Sequence, residues 1–137
     1  MSVIYKKIRA ALEKHLVDSS FTLPPIAWEN VDFSPTTGTA FIKVQFQPTS
    51  RRPSVMGTNP EHRYQGIMTI LCYSPEGSGP GPSQTLTDQL LARFNSTTDI
   101  SFDGVIVSVE YSQQESSYIN SPWYVTPITV AWYIYDK

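Results

Sequence analysis

Arg63-Tyr64-Gln65-Gly66-Ile67-Met68-Thr69-Ile70-Leu71-Cys72-Tyr73 is the stretch on which the fold turns. Written as a strand, it sends Gly66, Met68, Ile70 and Cys72 to one side. Ile67, Thr69, Leu71 and Tyr73 go to the other. Apolar residues on both faces imply cover on both faces, which is the signature of an interior strand. No proline interrupts the run, so its backbone donors are free to pair along both edges.

Upstream, Ala40 to Gln47 alternates Ile42, Val44 and Phe46 with Lys43, Gln45 and Gln47. That is a strand with one wet face. Pro48 to His62 reads as a long polar connection carrying Arg51, Arg52 and an apolar Val55-Met56 tip. A connection of about 15 residues exceeds the usual hairpin length and reads either as a floppy surface loop or as an arm that orders on a partner protein. Further back, Phe21 to Thr39 is irregular, broken by Pro24-Pro25, Pro35 and Gly38, with Ile26 to Trp28 a candidate short edge strand. At the start, Ile4, Ile8, Leu12 and Leu16 make the apolar stripe of a helix ending near Val17, with Ser2 as its cap.

Downstream, Ser74 to Pro82 breaks regular structure. It is no phosphate loop, because no Lys-Ser/Thr follows its glycines. Ser83 is a cap for a second helix to about Asn95, with Leu86, Leu90, Leu91 and Phe94 on its buried face. Ile100 to Tyr111 and Trp123 to Tyr135 read as two more strands joined by a polar loop. Pro127 marks an edge or a bulge in the last. The expected fold is therefore α+β: a mostly antiparallel sheet of about four strands, in the order helix-strand-strand-helix-strand-strand, with both helices on one face. The opposite face would leave Ile67, Leu71 and Tyr73 or their opposites uncovered, and an uncovered apolar face marks an assembly surface.

Composition bounds the function. The chain has 137 residues, suited to one domain spanning 1–137, with 40% hydrophobic and 16% charged residues and a net charge of −2. No stripe of Lys and Arg exists for nucleic acid to follow, so sequence-specific nucleic-acid binding is not expected. No apolar run reaches the ~18 residues of a membrane span. The charged amphipathic N-terminus does not resemble a signal peptide, and the expectation is a soluble protein made in a reducing cytoplasm. Its single cysteine, Cys72, lies inside the central strand and reads as a buried, inert thiol. His15 and His62 sit on different elements without motif spacing, and Asp99 with Asp103 are too few carboxylates for a hard cation. No catalytic, cofactor-binding or metal motif is present, so neither an enzyme nor a cofactor is expected.

Three stretches carry a family resemblance: the amphipathic N-terminal helix followed by Ile26-Ala-Trp-Glu-Asn-Val, the strand opening Arg63-Tyr-Gln-Gly, and Tyr73-Ser-Pro-Glu-Gly-Ser-Gly leading into Thr87-Asp-Gln-Leu. The chain resembles the tail terminator (tail completion) proteins of long-tailed bacteriophages, of the lambda minor tail protein U type. The resemblance implies a structural virion protein at the head-proximal end of the tail, assembled in the cytoplasm of the host bacterium. It implies a hexameric ring that docks on the tail tube protein, stops tube polymerisation and faces the head connector or neck. Family motifs single out no functional residue here. Arg51, Arg52, Met56 and Arg63 are the residues whose charge, apolar tip and position recommend them as protein-interface contacts. A different neck or head-closure component, or a small ligand-binding α+β domain, are the alternatives.

Overall fold

The computed structural model of the chain describes residues 4–53 and 61–136. It corrects the expected four-stranded sheet. Seven strands form one mixed sheet in the order β1-β2-β3-β7-β5-β4, with β6 paired to β7 beyond the end of β5. The strands are β1 (Ile26–Ala27), β2 (Phe41–Pro53), β3 (His62–Pro75), β4 (Asp99–Phe102), β5 (Val105–Gln114), β6 (Tyr118–Asn120) and β7 (Trp123–Asp136). Two helices, α1 (Ile4–Val17) and α2 (Gly81–Arg93), complete the order. β1 runs parallel to β2, and every other pairing is antiparallel.

Three departures account for the difference. Part of the stretch read as a long loop is strand: β2 runs on to Pro53, Ser50 to Pro53 pairing with Gln65 to His62 across a bulge at Pro48/Ser50, while residues 54–60 of that stretch lie outside the described residues. The strand read as Ile100 to Tyr111 is a hairpin, because Asp103 (φ 46) and Gly104 (φ 84) make a two-residue turn in left-handed backbone. Asp-Gly is the favoured pair for such a turn. Finally, the polar stretch after β5 contributes β6, whose three residues are all exposed. Pro127 sits within β7 opposite the gap between β5 and β6, where its missing donor disturbs no ladder.

β3 is interior, flanked by β2 and β7 along its length. Both helices cover the same face. Ile8, Leu12 and Leu16 of α1 and Leu90 of α2, with Phe94 just past it, join Ile42, Val44, Met68, Ile70, Val107 and Ile128 in one core. Ser83 does not cap α2. Its side chain is buried and bonds the Thr126 hydroxyl at 3.0 Å, while Pro80 stands at the cap position without a side-chain bond. The Ser2 cap expected for α1 lies outside the described residues.

Gly66 explains one feature of this core. Phe46 on β2 and Trp132 on β7 stack with centroids 5.3 Å apart and planes 3° apart, although β3 runs between their strands. A Cβ on Gly66 would stand 2.6 Å from Trp132 Cζ2, 2.5 Å from the Gln47 carbonyl oxygen and 2.8 Å from Pro48 Cα. Only glycine lets the two rings meet over the central strand.

The other face carries no helix. A smaller cluster of Ala27, Phe41, Trp123 and Val125, with Phe33, Leu71 and Tyr73 against it, covers one end. Ile67, Thr69 and Leu71 are half-buried there, in place of the wholly uncovered apolar face expected from the sequence.

Candidate protein-interface site

The expected interface residues lie at the opposite end of the sheet, where β2 stops and β3 begins. Arg51 and Arg52 are consecutive in a strand, so they point to opposite faces. Arg51 is on the helix side. Its guanidinium lies 5.5 Å from the Tyr64 ring centroid, and its Nε donates to the Tyr64 hydroxyl at 3.0 Å. That hydrogen bond is the main reason its pKa is held above the ordinary arginine value. Tyr64 in turn meets Tyr5 of α1 edge-on at 5.5 Å. Arg51 is thus tied into the fold.

Arg52 is on the helix-free face, directly opposite Arg63 in the β2–β3 register. The two arginines differ in their surroundings. Arg63 Nη2 donates to Glu110 Oε1 at 2.9 Å, Nη1 donates to Gln65 Oε1, and the guanidinium lies 4.7 Å from the Tyr133 ring centroid. Its Nε is buried and has no acceptor among the described residues. Arg52 is exposed and has no ion pair or hydrogen bond among the described residues. Between them lies a notch of about 450 Å³, lined by Ser50, Arg52, Pro53, Arg63, Gln65 and Tyr135. Met56 lies outside the described residues, so of the four expected contacts the structure brings Arg52 and Arg63 together on one face and sets Arg51 on the other.

Sequence reasoning missed Glu110, Gln65, Tyr133 and Tyr135 as parts of this site. The alternation of β7 already put Tyr133 and Tyr135 on one face. Only the β3–β7 register, pairing Arg63 with Tyr135, shows which arginine they serve.

As far as Pro48 the outer edge of β2 is blunted against another strand. Ile42 N donates outward to the Pro25 carbonyl, and Phe46 N donates to Glu29 Oε1. Alternation then sends the next outward position to Pro48, which has no N–H to offer. Glu29 is itself held by Arg9 at 2.9 Å. A partner approaching this edge meets side chains rather than a free ladder.

Elsewhere the chemistry is quiet. Burial pushes the Cys72 thiol up to about 12, so it is neither nucleophile nor ready ligand. Among the described residues no group of three or more His, Cys, Asp or Glu is placed to hold a metal ion. Asp103 pairs with Lys7 at 3.8 Å. No helix among the described residues is long and apolar enough to cross a membrane. A second depression, next to Phe41, Tyr73 and Trp123, is walled by the 28–35 segment and is open to solvent.

A family model described as phage tail terminator protein matches residues 7–132. The chain belongs to the phage tail terminator family. Terminators are structural proteins of the phage tail, and membership makes this chain a virion tail component that associates with other tail components. No curated protein matches the sequence. Among solved structures six chains match. One aligns over 97% of this chain and 96% of its own with a TM-score of 0.78 and 21% identity, a likeness of fold. With the terminator family in view, the end of the sheet bearing Arg52 becomes the surface to ask about.

Proposed function

We propose that the protein acts as a single terminator domain, 1–137, that forms a ring, expected to be hexameric, on the head-proximal end of the tail tube. In that position it stops tube polymerisation and offers a surface to the head connector or neck protein. Assembly takes place in the cytoplasm of the host bacterium. The observation that carries this reading is the family match across nearly the whole chain. The open sheet face, the blunted β2 edge and the paucity of reactive groups support a role in docking rather than catalysis. Arg51, Arg52, Met56 and Arg63 are the proposed contacts, with Arg52 the most available of the described three.

Electron microscopy of particles made without the protein tests the proposal. Tails of uncontrolled length with few joined heads are the expected result. Tails of normal length that fail only to join heads would place the protein in the neck instead.

A further inference from the structure

We infer that the notch beside Arg52 receives a single carboxylate, an Asp or Glu side chain of the tail component on which the protein docks. The inference rests on the terminator reading and names the chemistry of its contact.

The charge balance at the notch is the first reason. Arg52 and Arg63 face each other across β2 and β3, and Glu110 pairs with Arg63 alone. Among the described residues no carboxylate pairs with Arg52, so its charge is left uncompensated. Like charges directly opposite in a sheet are unfavourable, so an incoming carboxylate relieves a repulsion as well as forming a pair. The donor set is the second reason. A guanidinium presents a planar fork matched to a carboxylate, and Ser50 and Tyr135 line the same notch.

Nucleic acid fits less well. Phosphate binding is built from several neutralised charges, and at this notch Arg52 is the one cation without an ion pair among the described residues, in a chain of net charge −2. The rival source of a carboxylate is a second copy of the chain, whose exposed Asp32 and Asp99 have no ion pair among the described residues, and self-association of the variants separates it from the tail component.

The test uses tail tubes of the parent phage, assembled without this protein and purified, co-sedimented with wild type, Arg52→Lys, Arg52→Met and Arg52→Glu. Lysine keeps the charge and loses the fork, and should bind about tenfold less tightly. Methionine keeps the length without charge and should lose more. Glutamate, set against the partner carboxylate, should lose at least about a hundredfold. Melting curves and self-association, read by analytical ultracentrifugation, should match wild type for all three. Wild-type binding should weaken as salt is raised.

Equal binding by wild type and Arg52→Glu would overturn the notch while leaving the terminator reading in place. Loss of self-association in Arg52→Glu would assign the notch to a second copy and overturn the inference. Wild type that fails to sediment with tubes would overturn the terminator reading and the inference with it. Should Arg52→Glu fail to fold, Arg52→Met decides: binding equal to wild type is then the refuting result.

Discussion

One strand serves two faces that have different fates. On β3, the residues Tyr64, Gly66, Met68, Ile70 and Cys72 lie under the helices and are buried. Their neighbours Arg63, Gln65, Ile67, Thr69 and Leu71 point the other way and stay half-exposed. The period of two divides the sequence into a set that makes the fold and a set that the fold leaves unspent. Stability should therefore concentrate on one face and recognition on the other.

Breaking the covered face should have the largest effect. Leu90 is fully buried in the main core, so Leu90→Ala should cost about 2–5 kcal/mol through lost burial and a cavity. Denaturant unfolding measures this, and a loss under about 0.5 kcal/mol would mean that α2 does not seal the sheet. Gly66→Ala comes next. Two of its three close neighbours are backbone atoms that cannot swing away, so overpacking of about 1–3 kcal/mol is expected. An unchanged melting temperature would show that the Phe46–Trp132 stack yields easily. Cys72, on the same face, should not react with a thiol reagent until the protein unfolds, since burial keeps its thiol protonated. Rapid labelling of native protein would break the comparison at its centre.

A smaller effect should appear with pH. His15 Nε2 lies 2.9 Å from the Arg93 carbonyl oxygen, its ring packs edge-on against Phe94, and Arg93 Nε donates back to the His15 carbonyl at 3.0 Å. Burial above all, with the Arg93 charge adding to it, lowers the His15 pKa from its ordinary 6.5; the Arg93 hydrogen bond and Asp18 oppose the shift. The neutral form is the one folding prefers. Its contribution is therefore complete above about pH 6.5 and is lost as pH falls through the lower folded value. Glu13, raised mainly by burial, acts with the opposite sign in the acid range. The slope of melting temperature against pH just below 6.5 should flatten in His15→Gln. An identical slope would mean that the clasp between the helices does not sense protonation.

These residues also show what could be read in advance. The α1 stripe, the interior character of β3 and the Leu90–Phe94 face rest on apolar periodicity, a local signal, and were legible. The extension of β2 to Pro53 was not. Ser50, Arg51 and Arg52 are polar, and only pairing with His62 to Gln65 makes them a strand. The Asp103-Gly104 turn carried its own signal, but the valine run beyond it masked the break. At the site, Arg52 and Arg63 stood out by charge. Their difference in availability depends on Glu110, far along the chain on β5, and no spacing in the sequence places it beside Arg63.

The smallest effect is the sharpest, because its sign separates the two faces. Arg52 is exposed and unpaired among the described residues, and its cross-strand neighbour is another arginine. Replacing it with glutamate removes the like-charge pair and sets opposite charges across the β2–β3 ladder. Such pairs are worth about 0.2–1 kcal/mol, reduced here by exposure and by the claim of Glu110 on Arg63. Arg52→Glu should then leave the isolated protein as stable as wild type or slightly more so, with any gain shrinking as salt is added. The same change is the one expected to harm docking most. A substitution that steadies the subunit while weakening its attachment identifies a residue kept for its partner, because a residue kept for the fold would lower both. A destabilisation above about 1 kcal/mol would exceed what an exposed surface side chain contributes. That result would move Arg52 into the set that makes the fold and erase the division between the faces at this end of the sheet.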